Sequence, residues 1–278
     1  MESKTQDLEI LPPKSDSGNI KYKQDLDPRL PNVHRGICAL ALGVPGSGKT
    51  CLLLNIFGRF LKYYYENIHF IAASKDPTMQ ALFDFYGEPH KECTDTVIQN
   101  IIDSQYAQDE DEETQYPRTN CAVIIDDALA MKSFNSRKSS KLSRLASNYR
   151  HILRGSLPYQ EEGKDYKQHG GGGMLLLSTQ RYGSTIPTSF KSCLNTLFIG
   201  RLANKKEFEE IINDYGDRVG GEDALREMIN YTMQERFSFL AIYLDGDLDP
   251  ETTGAVVYKN MNEKLHPTER WPEKPYSI

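Results

Sequence analysis

The apolar run Gly36-Ile-Cys-Ala-Leu-Ala-Leu42 leads without a break into Gly43-Val-Pro-Gly-Ser-Gly-Lys-Thr50. After it, Leu52, Leu53, Ile56, Phe57, Phe60 and Leu61 recur at helical spacing over residues 48–64. A buried strand that ends in a glycine turn and restarts as a helix leaves few architectures open. The turn must lie at the carboxyl edge of a sheet, with the helix packed back along one face. Further apolar runs at Ile68–Ala73, Cys121–Ile125, Met174–Ser178, Thr196–Gly200 and Phe237–Tyr243 read as strands. Helical patterns lie between them near 78–86, 94–104, 138–154, 204–214 and 221–234. Strands apolar on both faces and alternating with helices predict an α/β fold, a mostly parallel sheet with helices on both faces.

At 278 residues the chain suits one main domain with tails. Residues 1–33 are polar, carry Pro12, Pro13, Pro28 and Pro31, and read as an N-terminal tail or arm. Residues 34–244 hold the alternating elements, and residues 245–278, with the single Trp271, read as a C-terminal tail. Asp109–Glu113 reads as a solvated acidic loop, and the polar stretch 155–173, ending in Gly170 to Gly173, as a flexible loop. A net charge of -6 argues against a surface that coats nucleic acid generally, so any such contact must be local. The five cysteines form no Cys-x-x-Cys pair, which speaks against structural zinc and for a reducing compartment. No apolar run approaches the roughly 18–20 residues of a membrane span, and the start of the chain has no apolar core of a signal peptide.

The glycine turn fits G-x-x-x-x-G-K-[ST] in full and stands between a strand and a helix, the context that confirms a phosphate-binding loop. Gly43, Pro45, Gly46, Ser47, Gly48, Lys49, Thr50 and Cys51 are its candidate nucleotide-binding residues. Gly46 and Gly48 permit the backbone angles that turn successive N–H groups toward one anion. Lys49 is expected to reach the β- and γ-phosphates, and the Thr50 hydroxyl to ligate Mg²⁺, so ATP and Mg²⁺ are the expected cofactors. The strand Ala122-Val-Ile-Ile ends in Asp126-Asp127. A carboxylate at the end of a buried strand needs a cation, which assigns Asp126 to the metal. Asp127 follows as the general base for water, one methylene shorter than the glutamate that many ATPases carry there. Gln180, at the end of the next strand, is placed to sense a γ-phosphate. The strand Ile68–Ala73 between the cradle strand and the Asp126 strand sets the chain with motor-type ATPases rather than simple nucleotide kinases.

From Ala128 to Gln160 the chain has seven lysines and arginines and no acid. Leu142, Leu145, Tyr149 and Ile152 are expected to pack inward, leaving Arg137, Lys141 and Arg144 on an outward face that suits a phosphate backbone. Motors of this layout use an arginine that reaches a neighbouring subunit's γ-phosphate. Arg150, Arg154, Arg181 and Arg201 lie in the appropriate half of the sequence, with Arg150 and Arg201 the first candidates. His151 reads as an orienting or packing histidine.

GVPGSGKT, the strand ending in Asp126-Asp127, Tyr149-Arg150-His151, LLLSTQRYGSTIP with Gln180, and FIGRLANKKEFEEI together resemble the genome-packaging ATPases of large eukaryotic DNA viruses. That group is the poxvirus-type branch of the FtsK–HerA superfamily, and the similarity spans roughly residues 34–245. The resemblance implies a RecA-like P-loop NTPase core and a ring oligomer, pentamer or hexamer. It further implies ATP-driven movement of double-stranded DNA into a capsid, with capsid proteins as further partners. Matching roles follow for Lys49, Thr50, Asp126, Asp127 and Gln180. A virion, host-cytoplasm or viral-factory location follows if the protein is viral, and a cytoplasmic one otherwise. The loop 155–173, with its four glycines, departs from the family pattern. Three alternatives stand beside this one: a cellular or plasmid HerA/FtsK-type DNA translocase, a small-molecule phosphotransferase, and a nucleotide-gated scaffold that does not turn over.

If the cradle and the acidic pair act as read, Lys49→Ala abolishes ATP binding or turnover, whereas Asp127→Asn keeps binding and loses turnover. Parallel ATP-binding and phosphate-release assays separate the two outcomes. Wild-type turnover in Asp127→Asn would remove that residue from the role of base.

Overall fold

A computed structural model of the chain describes residues 36–56, 65, 67–73, 80, 83, 87–110, 119–127, 140–161, 164–170, 172–183, 186, 188–244 and 255–258. The first half runs β1 (Ile37–Leu42), α1 (Lys49–Asn55), β2 (Asn67–Ala72), α2 (Asp95–Glu110), β3 (Cys121–Asp126) and α3 (Ser140–Ile152). The second half runs β4 (Gly155–Glu161), β5 (Lys164–Gly170), β6 (Met174–Thr179), α4 (Thr188–Cys193), β7 (Thr196–Ile199), α5 (Lys205–Tyr215), α6 (Glu222–Met233), β8 (Phe239–Tyr243) and β9 (Ala255–Tyr258). Seven strands form one sheet in the order β2-β3-β6-β1-β7-β8-β9. The first five of these lie parallel, and β8 and β9 add antiparallel pairs at one side. The expected mostly parallel α/β sheet is the one found.

Alternation along each strand divides the core into two layers. Cys38, Leu40 and Leu42 of β1 join Val123, Ile125, Leu175, Leu177 and Leu197 on one face, where α2, α3, α5 and α6 cover them. Ile37, Ala39 and Ala41 join Ala122, Ile124, Leu176 and Phe198 on the other face, against Leu52, Leu53 and Ile56 of the α1 segment. Alanine at four of these second-face strand positions, Ala39, Ala41, Ala122 and Ala241, lets a helix approach the sheet closely. Leu142, Leu145, Tyr149 and Ile152 of α3 point into the core as their spacing predicts. Phe83, a helical residue beyond β2, is buried on the same second face as α1. Cys38 and Cys121 are buried in the strands, no disulfide links the five cysteines, and burial pushes the Cys38 thiol far up.

Four features differ from the sequence expectations. Asp109 and Glu110, read as the start of an acidic loop, form the end of α2. The stretch 155–173 is mainly a β-hairpin, with β4 and β5 paired from Gly155 opposite Gly170 to Glu161 opposite Lys164. Its strands lack an apolar stripe because backbone pairing, rather than burial in the main sheet, forms them. Ala255–Tyr258, within the segment read as a tail, pairs with β8 as a further strand. The strand that separates β1 from β3 in space is β6, while β2 lies outside β3. The two ends of the chain at 1–35 and 259–278, most of the helix near 78–86, residues 57–64 of the first helix, and Lys132, Arg137 and Lys138 of the basic stretch lie outside the described residues.

At the amino edge of the sheet, Asn195 joins three elements. Its Oδ1 accepts from the Cys38 N–H at 2.8 Å, and its Nδ2 donates to the Gly36 carbonyl at 2.7 Å and the Tyr149 hydroxyl at 3.1 Å. A buried amide group left without its partner costs about 1–3 kcal/mol. Asn195→Ala is therefore expected to lower the melting temperature by about 5–10 °C, read by differential scanning calorimetry.

Candidate active site

The glycine turn is clasped from both sides as it leaves β1. Gly43 N–H donates to the Thr179 carbonyl at the end of β6 (3.3 Å), and Val44 N–H donates to the Arg201 carbonyl beyond β7 (2.8 Å). Ser47 N–H closes the turn on the Val44 carbonyl at 3.1 Å. Gly46 and Gly48 sit at φ +71° and +91°, a region that side chains disfavour, so the motif glycines stand where the backbone requires them. Gly48 caps α1 without a side-chain acceptor, so it leaves the first-turn N–H groups to another acceptor. Pro45 is exposed at the tip of the turn, and Cys51 is half-buried in the first turn of α1.

Lys49 is buried, and its Nζ donates to the Gly43 carbonyl at 2.8 Å and the Val44 carbonyl at 3.2 Å. Burial pulls its pKa below the usual lysine value, and the charges of Asp126 and Asp127 oppose that shift. Asp126, at the last position of β3, is 9% exposed and accepts three hydrogen bonds. Oδ2 takes one from Thr50 Oγ1 at 3.2 Å; Oδ1 takes one from Ser178 Oγ at 2.6 Å and one from the Asp127 N–H at 3.1 Å. Burial still holds its carboxyl above the usual carboxylate range, with the Ser178 and Thr50 bonds acting the other way. Asp127 lies at φ +48°, a left-handed conformation that aspartate tolerates better than most residues. Its Oδ1 accepts from Gln180 Nε2 at 3.1 Å.

The structure thus brings Lys49, Thr50, Asp126, Asp127 and Gln180 to one place. The two first-choice arginines are apart. Arg201 stands beside the glycine turn, bound through its carbonyl, with an exposed side chain. Arg150 stands near Gly36, at the amino edge of β1 and across the sheet from the cradle, its Nε donating to the Tyr149 hydroxyl at 2.9 Å. His151 and Arg181 are exposed and Arg154 is half-buried. Arg181 lies close enough to Glu207 to oppose the rise that burial imposes on that carboxyl. Ser178 is the residue that sequence reasoning passes over. A single hydroxyl ending the run Met-Leu-Leu-Leu was its one signal, and its partner emerges only when β6 inserts between β1 and β3.

The donor set fits a magnesium nucleotide. Among the described residues no group of three or more His, Cys, Asp or Glu side chains is arranged to hold a metal by itself. One carboxylate and one hydroxyl, completed by phosphate oxygens and water, are the usual protein share for Mg²⁺. The buried Ser47 Oγ, which has no hydrogen-bond partner, adds an orphan donor at the cradle.

The architecture is the α/β fold of P-loop ATPases. No family model matches the chain, and no curated protein matches its sequence. Among solved structures, B204, the DNA-packaging ATPase from Sulfolobus turreted icosahedral virus, aligns with a TM-score of 0.52 at 14% identity, over 85% of this chain and 100% of that one. The genome packaging NTPase B204 from Sulfolobus turreted icosahedral virus 2, in complex with sulfate, gives 0.50 at 14% identity over 81% and 96%. The pCW3 conjugation coupling protein TcpA gives 0.49 at 15% identity over 81% of this chain and 59% of its own. At these identities the likeness is one of fold.

Because the folded state holds the Asp126 proton more tightly than the unfolded chain does, stability falls as pH rises from the ordinary carboxylate value through the raised one. Asp126→Asn removes that penalty and keeps the shape: Oδ1 still accepts, and the new amide donates to Thr50 Oγ1. Without nucleotide, this variant should melt about 2–6 °C above wild type near neutral pH. The gain should fade as pH falls through the Asp126 titration, in scanning fluorimetry across a pH series.

Proposed function

We propose that the chain belongs with the FtsK–HerA motors and hydrolyses ATP at this site to move double-stranded DNA into a viral capsid, working as a ring. The supporting observation is the hydrogen bond between Gln180 and Asp127 beside the cradle, because it sets a base and an amide where a terminal phosphate would end. In this reading the cradle N–H groups and Lys49 gather the phosphate charge. Thr50 and Asp126 would hold Mg²⁺, which when bound would neutralise charge on the terminal phosphates. Asp127 accepts the proton of the attacking water. Its carboxylate accepts from Gln180 across the strand ends. Gln180 orients Asp127 and answers to the γ-phosphate, through two N–H donors on one amide.

The outer face of α3 supplies the proposed contact with the DNA backbone. Lys141 is half-buried and Arg144 exposed, while the helix's apolar residues face the core. In a ring, Arg150, at the edge opposite its own cradle, would be the arginine that reaches a neighbouring subunit's γ-phosphate, with Arg201 the other candidate. No described helix is long and apolar enough to cross a membrane.

Two measurements test the motor. ATPase activity should rise when linear double-stranded DNA is added at low salt, and the stimulation should fall steeply as salt increases. The double variant Lys141→Glu/Arg144→Glu should lose it. An ATPase that ignores duplex DNA at every salt concentration would remove the translocase from consideration and leave a stand-alone hydrolase.

A further inference from the structure

The cradle strand has neighbours on both sides, and the chemistry above uses one of them. β6 and β3, with Ser178, Gln180, Asp126 and Asp127, lie on one side of β1, while β7 and β8 lie on the other. A triphosphate whose terminal end rests by Asp127 and Gln180 must lead its nucleoside away from them. The sheet order leaves the β7–β8 side for it. At that rim stands Phe237, two residues before β8.

Phe237 has φ +57°, an outlier for a bulky side chain. Strain of this kind persists where the surroundings fix the conformation, and it gathers at ligand clamps. Here the surroundings do fix it. Ser238 and Phe239 are buried immediately afterward, and Phe239 packs so close to Gly200 that a Cβ there would lie 2.6 Å from its ring. The half-buried Phe237 ring is turned back onto the cradle, where a Cβ on Gly48 would lie 3.0 Å from its Cδ1. A left-handed backbone and a glycine beside the ring therefore hold the ring edge-on against the phosphate loop, on the side that the acidic pair does not occupy.

We infer that Phe237 is the platform for the nucleobase, stacking a purine at the β7–β8 rim of the cradle. This rests on the cradle holding a nucleoside triphosphate. An aromatic ring stacks with any base through its π-face and most extensively with a purine, so it supplies affinity without demanding a particular hydrogen-bond pattern.

Equilibrium binding of three probes to the full chain tests the assignment: ATP, ribose 5-triphosphate and inorganic tripolyphosphate, each with Mg²⁺. Wild type should bind ATP about tenfold or more tighter than ribose 5-triphosphate, the scale of one base–aromatic stack. Phe237→Ala should weaken ATP by a similar factor and change tripolyphosphate by less than about twofold, with Phe237→Trp restoring ATP. Equal binding of ATP and ribose 5-triphosphate by wild type overturns the platform without needing any variant to fold. So does a Phe237→Ala protein that loses tripolyphosphate as strongly as ATP, since the ring would then only shape the loop. In both cases the cradle assignment stands. If wild type binds neither ATP nor tripolyphosphate, the cradle assignment fails and the platform falls with it.

Discussion

A carboxylate ends a strand flanked on both sides in the sheet, where little water reaches to solvate it. Asp126 is held there by Thr50, Ser178 and the Asp127 N–H, and even three hydrogen bonds leave its charged form disfavoured. The need to satisfy that one group explains much of the surrounding geometry. β6 has to lie between β1 and β3 so that Ser178 can reach it, and α1 has to begin at Gly48 so that Thr50 can. The demand for positive charge that these bonds leave unmet is what the proposed divalent cation would answer. Lys49, buried a short way off and lowered by the same burial, shares the problem with the opposite sign.

The loop that answers to this carboxylate is tied to both neighbouring strands. Its first N–H binds the end of β6 and its second binds Arg201, two residues past β7. Any shift of Gln180 relative to Arg201 must therefore pass through the cradle, so the strand ends and the phosphate loop form one mechanical unit. The two sides of that unit differ in chemistry. One carries acids, a hydroxyl and an amide, and the other carries an aromatic ring against glycine. A polar end and an apolar end across one anion nest match the two ends of a nucleotide.

The strands were legible because a strand buried on both faces writes itself as an unbroken apolar run, as in Ile37–Leu42 and Met174–Ser178. The glycine loop was legible because Gly46 and Gly48 carry a backbone requirement that few other residues meet. The inward face of α3 followed from spacing alone. What stayed hidden depends on adjacency in space. Ser178 looks like any strand-end serine until β6 takes its place beside β3. The bond from Gln180 to Asp127 joins the ends of two adjacent strands across a sequence gap that no periodicity spans. Arg150 and Arg201 look alike in the chain, and only the sheet shows that they lie at opposite edges. The hairpin β4–β5 was missed for another reason: cross-strand hydrogen bonds formed it without leaving an apolar signature. The left-handed backbone at Phe237 leaves no mark in the sequence at all.

That hairpin has a consequence for how the chain tolerates change in length. β4 and β5 pair with each other in a sheet of their own, and they open from Gly155 opposite Gly170, between the end of α3 and the start of β6. The two closing residues are neighbours across a single strand spacing, ~5 Å. A longer arm, a shorter one or a direct splice would join the same two points. The segment is thus a modular insert that can change in length while the main sheet keeps its order.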